Sequence, residues 1–349
     1  MSSGLIGGLF GLADAGAAPE RRSAARPLPG FLSGSFLATV NARSAVAILV
    51  EALHPGRVWL PSYLCAALLD GVSRSGVHVA WYPVGEALQP TGLTWLDEVA
   101  AGDVVVVIDY FGFMAPDGLM AAARDRGAFV LEDASQALLT SGAGSNADAV
   151  VFSPRKFVGV PDGGILGFRS RTLNRPAMVP PPDDWWCLAL EAARRRAAFD
   201  RGSGDRDWYG LFRRAEDGAP VGPYAMSELS YRLLSRAIEY ADVAERRRAN
   251  YLRLASALTA SALFPRLPDE VVPLGFPVRL SGRDRVRQAL FAHEIFAPTH
   301  WQIETFVPSS FVASHALSSM ILTLPCDQRY GEADMDLIAS IVTAEEGGT

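Results

Sequence analysis

The sequence predicts an α/β protein: a mostly parallel sheet with helices on both faces, followed by a smaller α+β domain. Three observations carry that prediction. Short β-branched runs alternate with helical stretches through the first half of the chain, which is the pattern of strand–helix units that pair in parallel. The 349 residues are enough for one large domain plus a smaller one. With 49% hydrophobic and 20% charged residues, the composition is that of an ordinary globular protein.

The elements follow in order. Residues 1–35, rich in Gly, Ala, Pro and Arg, read as an extended arm that wraps or stays mobile. SAVAILVEALH (44–54) is a helix opening at a serine, RVWL (57–60) a strand, and SYLCAALLDGVSRSG (62–76) a helix ended by glycine. VHVAWYPV and DVVVVIDYFG (103–112) are strands, then come a helix over 117–126 and the strands AFVLED (128–133), DAVVFS (148–153) and GGILGF (163–168). Residues 170–225, with VPPPDDWW and several glycines, read as an irregular crossover, and a long helical pattern runs from about Met226 to Leu258. VVPLGFPVRL, a helix over 283–293, IFAPTHW, SMILTLP and a last helix from about 331 complete the smaller domain. The expected division is an arm (1–35), a large α/β domain (36–225), and the long helix with the small domain (226–349).

Charge and cysteine usage narrow the function classes. A net charge of −6 argues against a broad nucleic-acid surface, and the arginines at 194–196 and 246–248 read as solvated helix faces. Cys65, Cys187 and Cys326 are odd in number and widely spaced, which fits a reducing, cytoplasmic setting, and none forms a metal-type pair. No apolar run approaches the roughly 20 residues of a membrane span, and the first apolar stretch has no positive residue before it, so it is not read as a signal.

Lysine usage is the sharpest signal. Lys and Arg total 32, and Lys156, in FSPRKFVGVPDGG, is the only lysine. Arginine replaces lysine wherever charge is the task, but a lysine amine can lose its proton and attack a carbonyl. Formation of a Schiff base with a cofactor aldehyde is the commonest use of such an amine. In parallel sheets ligands bind at the carboxyl ends of strands. Asp133 ends one strand and Lys156 follows the next, so the two can meet. Pyridoxal phosphate needs this pair, the lysine at its aldehyde and the carboxylate at its ring nitrogen, with amides and hydroxyls for its phosphate. Glu132 turns to the opposite side by strand alternation, and Gln136 would bond the ring hydroxyl. Ser153 and the helix start at Ser44 and Ala45 offer donors to the phosphate, while Arg43 adds charge there or caps a surface turn.

LEDASQALL followed by FSPRK and DGG resembles the DegT/StrS-type sugar aminotransferases, pyridoxal-phosphate enzymes of the aspartate-aminotransferase-like fold type I. The likeness continues through RSAVAIL, LPSYLC, IDYFG, YAMSELS and LTLPCDQRY. It implies Lys156 as the Schiff-base lysine, Asp133 as the ring-nitrogen partner, Gln136 as the ring-hydroxyl contact, and Ser153, Ser44 and Ala45 as phosphate contacts. It also implies a homodimer with its active site at the interface. The chain departs from the family in three places. Ser153 and Lys156 are three positions apart where the family usually has five; Cys65 stands where an aromatic residue stacks on the ring, leaving Tyr63, Tyr110 or Phe111 as substitutes; and Pro223 stands where an asparagine reaches the neighbouring subunit's phosphate.

The leading expectation is an aminotransferase that takes an amino donor and a keto-sugar or small keto or aldehyde acceptor, with Arg279 or Arg329 either holding a donor carboxylate or lying at the surface. His300 and Trp301 line the pocket or pack as a loop histidine and a buried ring, and Cys326 reads as packing. Other pyridoxal chemistry, a lyase or a decarboxylase, and a non-catalytic sensor or scaffold are the rivals. A nicotinamide-dependent dehydrogenase fails, because no G-x-G-x-x-G follows the first strand.

Overall fold

The computed structural model describes residues 4–14, 28–169 and 174–347. Its strands are β1 (Ile6–Gly7), β2 (Ser35–Thr39), β3 (Arg57–Pro61), β4 (His78–Tyr82), β5 (Val104–Ile108), β6 (Phe129–Asp133), β7 (Ala149–Phe152), β8 (Gly164–Phe168), β9 (Phe276–Arg279), β10 (Ile295–Phe296) and β11 (Ile321–Leu324). The helices are α1 (Ala42–Leu53), α2 (Ala66–Ser73), α3 (Asp117–Arg124), α4 (Asp183–Asp200), α5 (Asp207–Asp217), α6 (Glu228–Arg236), α7 (Tyr240–Ala257), α8 (Arg283–Ala292), α9 (Val312–Met320) and α10 (Glu332–Gly347).

Val-Val-Val-Val-Ile at 104–108 has no polar side to show water, and β5 lies inside a seven-stranded sheet with every residue buried. Each such side chain stabilises the fold by about 1.5–3 kcal/mol relative to exposure. The strand order is β2-β8-β7-β6-β5-β3-β4, and only β8 runs against the other six. This is the mostly parallel α/β sheet that the sequence predicts. A second core gathers Tyr251, Leu254, Phe276, Leu322 and Met335 around the antiparallel β9–β11 pair, and Ile6 joins it from the start of the chain.

Several elements differ from expectation. Helix α1 opens at Ala42, because Asn41 caps it: the Asn41 Oδ1 accepts the Ser44 N–H at 2.8 Å. Helix α2 opens only at Ala66. The segment expected to be irregular holds α4 and α5; Pro176, Pro180, Pro181 and Pro182 precede α4 and Gly202 and Gly204 fall between the helices, while Ala189, Ala192, Ala193 and Ala197 give α4 a buried face. The expected long helix is two, α6 and α7. Tyr240 bonds back to the Leu234 carbonyl at 2.6 Å and packs edge-on against Phe31 at 5.5 Å, contacts that fix the corner between them. Helix α9 had no counterpart in the prediction.

The arginine clusters are not wholly solvated. Arg194, Arg195 and Arg246 are exposed, but Arg196 and Arg247 are buried, because helical periodicity sets them on the faces of Ala192/Ala193 and of Val243/Tyr251. Of the arm, residues 1–3 and 15–27 lie outside the described residues, and β2 begins at its last position. Residues 4–14 are anchored: β1 pairs in parallel with β10, Leu12 N–H bonds Ala193 O at 2.9 Å, and Ala13 N–H bonds Gly159 O at 2.7 Å.

At the carboxyl ends of β5 and β6, Asp109 and Glu132 are both buried, on the side away from Asp133. Ala115 N–H bonds Asp109 Oδ1 at 2.8 Å and Gly144 N–H bonds Glu132 Oε1 at 2.7 Å. The remaining oxygens, Asp109 Oδ2 and Glu132 Oε2, are buried without a donor among the described residues, and burial pushes both carboxyls up. Burial first, then the Glu132 charge, pushes the Asp109 carboxyl well above its usual range. The folded chain therefore keeps a proton that the unfolded chain releases above pH about 4, and stability falls as pH rises through that range. Asp109→Asn, which gives Glu132 a permanent donor, is expected to flatten the decline; thermal melts of both proteins across pH measure it.

Candidate active site

Strands β6 and β7 are parallel neighbours, with Asp133 beside Val151. The end of β6 and the turn after β7 therefore share one rim. Pro154 starts a single tight turn there, closed by Lys156 N–H on Ser153 O at 3.1 Å, and this turn carries Lys156 to the rim. A cavity of about 370 Å³ opens there, lined by Lys156, Asp133, Ser135, Ser153 and Cys65 among others.

The two residues singled out by the sequence stand in contrasting surroundings. Asp133 is buried and accepts the Ser135 N–H at 3.0 Å. The Lys156 amine has no hydrogen bond or ion pair among the described residues, and its charge is felt by Cys65, His300 and Glu216. Burial pushes the Cys65 thiol up, so a neutral thiol faces the cavity. His300 also lines it, with Nδ1 2.8 Å from Thr323 Oγ1, and burial followed by the Lys156 charge depresses the imidazole to about 3.

Gln136 lies behind the cavity wall. Its Oε1 accepts Phe111 N–H at 2.7 Å, and its Nε2 is buried with no partner. The start of α1 is shifted from the expected donors. Ser44 N–H is held by Asn41 Oδ1 and Ala45 N–H by Asn41 O, while Ser44 Oγ sits 3.4 Å from Pro220 O and 3.3 Å from Gly222 N. Neither residue lines the cavity; Asn41, Ala42 and Arg43 do. The early cap causes the shift. Arg43 pairs with Asp70 at 3.3 Å, and its Nε is buried with no partner.

Tyr63, Tyr110 and Phe111 are buried and do not line the cavity. The Tyr63 hydroxyl donates to His300 O, Tyr110 OH donates to Tyr63 O at 2.5 Å, and Tyr63 packs on Trp301 at 5.6 Å. These rings support the wall, and Cys65 fronts the cavity in their place. Pro223 belongs to a loop folded on its own chain, where Pro220 O accepts from Asn41 Nδ2 at 2.8 Å.

The arginines expected to hold a donor carboxylate or lie at the surface are both paired with protein carboxylates, Arg329 at the cavity wall and Arg279 at the surface. Arg329 clamps Asp327 and donates to Leu9 O at 3.0 Å and Gly8 O at 3.2 Å, while Arg279 pairs with Glu86 at the surface. Cys326 packs in the second core, its thiol pushed up to about 12 by burial. Among the described residues no three His, Cys, Asp or Glu are grouped to hold a metal, and no helix is long and apolar enough to cross a membrane.

Sequence reasoning missed three contributors: Arg155, Glu216 and the strap Gly7–Phe10, all lining the cavity. Phe10 lies under the Arg329 guanidinium at 4.1 Å. The glycines were the available signal. A Cβ on Gly11 would stand 2.6 Å from Ala197 Cα, and one on Gly159 would stand 1.8 Å from Gly11 O.

Solved structures share this architecture. The chain matches Helicobacter pylori PseC, an aminotransferase involved in the biosynthesis of pseudoaminic acid, with a TM-score of 0.68 over 91% of this chain and 89% of that one at 14% identity. It matches S. venezuelae DesV, solved in complex with a ketimine intermediate, with a TM-score of 0.67 over 90% and 85% at 19% identity. A DegT DnrJ EryC1 StrS aminotransferase from Brucella abortus gives 0.63 over 90% and 86% at 18% identity. No family model matches the sequence, and no curated protein matches it. At these identities the likeness defines the fold, that of the sugar aminotransferases and hence fold type I.

Two outcomes follow from this geometry. The His300 ring is expected to stay neutral throughout pH 5 to 8, where free histidine titrates, as NMR of its ring protons would show. Gly159→Ala must displace the strap, because a backbone oxygen stands where the new methyl would go. Amide exchange at residues 6–13 is expected to speed up by about tenfold or more, while exchange in β5 and β6 stays unchanged.

Proposed function

We propose that this protein is a pyridoxal-phosphate-dependent aminotransferase that moves an amino group from an amino-acid donor to a keto-sugar or a small keto or aldehyde acceptor in a biosynthetic pathway. The observation that carries this reading is the sole lysine of the chain, its amine unpaired, sharing one cavity with the buried carboxylate of Asp133. The surroundings fit the cofactor. Gln136 Nε2 and Arg43 Nε are buried donors without partners among the described residues, and Ala42, Arg43 and Ser153 line the cavity. Bound there, pyridoxal phosphate supplies an aldehyde for the lysine and a protonated ring that draws electrons from the substrate carbon.

The residues then divide the work. Lys156 holds the cofactor and, once freed, moves a proton at the substrate carbon. Asp133, fixed by the Ser135 amide, keeps the ring nitrogen protonated. Gln136, whose Nε2 is buried without a partner among the described residues, would supply the contact to the ring hydroxyl. Ser153, Ala42 and Arg43 receive the phosphate, and Ser44 and Ala45 serve that end by completing the Asn41 cap. Cys65 presents a neutral thiol where an aromatic ring would stack, with Tyr63 supporting from below. We place the protein in the cytoplasm as a homodimer with the active site at the interface.

Incubation with pyridoxal phosphate, borohydride reduction and peptide mass spectrometry are expected to label the peptide bearing Lys156, and Lys156→Ala to lose the label. Label elsewhere, or none, overturns the reading. Asp133→Asn is expected to retain the label but lose turnover about a hundredfold or more. A screen of amino donors is expected to produce a stable pyridoxamine form. Release of ammonia or carbon dioxide without it would make the enzyme a lyase or decarboxylase.

A further inference from the structure

The turn that delivers Lys156 also delivers Arg155. Arg155 lines the same cavity, and its guanidinium pairs through Nη2 with Oε1 of Glu216, a residue of α5 that lines the cavity as well. The Arg155 Nε is buried with no partner, as is that of Arg43 at the start of α1. Burial pushes the Glu216 carboxyl up, yet Arg155 first, then Arg43 and Lys156, hold it below its usual range. One carboxylate lining the cavity therefore sits in the field of three cations. In this chain the other anchors for a dianion are thin: the amides of Ser44 and Ala45 are spent on Asn41, and Pro223 has no donor. A guanidinium with an unused N–H is the group best shaped to bind a phosphate there.

We propose that Arg155 binds the cofactor's phosphate and that Glu216 is the internal counter-ion that holds Arg155 while the phosphate is absent. The proposal rests on the aminotransferase reading above, and adds a binding residue and a competing carboxylate to it. Binding then exchanges one anion for another at Arg155: the phosphate takes the guanidinium and Glu216 gives it up.

The test compares pyridoxal phosphate with pyridoxal, which lacks the phosphate, by titrating each into wild type, Arg155→Gln and Glu216→Gln and following intrinsic tryptophan fluorescence. Arg155→Gln is expected to weaken pyridoxal phosphate binding about tenfold or more and to leave pyridoxal within about twofold, the size of one charge-assisted contact. Glu216→Gln is expected to shift the preference the other way, tightening pyridoxal phosphate alone. An unchanged preference in Arg155→Gln, or one in Glu216→Gln no greater than in wild type, overturns the proposal and leaves the aminotransferase reading intact. If wild type takes up neither compound at Lys156, that reading itself falls and this one with it. Should Arg155→Gln fold poorly with Glu216 left unpaired, the double variant Arg155→Gln with Glu216→Gln removes both charges, and it must lose the preference for the phosphorylated compound.

Discussion

The parallel pairing of β6 and β7 is the constraint on which the site depends. Parallel strands place their carboxyl ends on one edge of the sheet, and the register that sets Asp133 beside Val151 brings the next turn alongside the acid. The residues between Ser153 and Lys156 have only to turn once. Apolar burial holds the pairing: Val130, Leu131 and Val151 are sealed by helices on either face, so a slip of register would expose an entire core layer. Strand alternation then separates the two acids at this edge. Asp133 faces the cavity, and Glu132 faces Asp109 on the other side of the sheet.

Much of this was legible in the sequence, for a physical reason. Buried parallel strands must be apolar and continuous, so β5, β6 and β7 stand out, and the alternation of Glu132 and Asp133 follows from the two-residue repeat. What was not legible depends on contacts distant in sequence. The opening of α1 at Asn41 rather than Ser44 came from one side-chain cap, and it decides which amides face the cavity. Helices α4 and α5 were hidden by prolines and glycines, most of which flank them while Gly210 sits within α5. The roles of Arg196 and Arg247 could not be read from charge, because each is buried by partners far along the chain: Gly7 O for one, Pro273 O and Leu274 O for the other.

Arginine carries most of the internal polar architecture. Arg247 alone joins α7 to Gln328, to the loop at 273–274 and to Phe157 O just after the lysine turn. Arg329 joins Asp327 to the strap, and its planar fork satisfies four acceptor contacts at once. A lysine at either place would leave acceptors unmet. Both arginines line the cavity as structural ties, most of their donors spent on protein acceptors, and the unpaired amine of Lys156 is chemically conspicuous beside them.

The strap has a mechanical consequence. Its beginning is embedded among side chains of β9 to β11, and a few residues later it is stitched to Gly159 beside the larger sheet. A thread fixed at both ends limits how far the two bodies can swing apart. Any opening of the cavity on this side would have to stretch a tether only a few residues long, pinned by the β1–β10 pairing at one end and by Ala13 at the other.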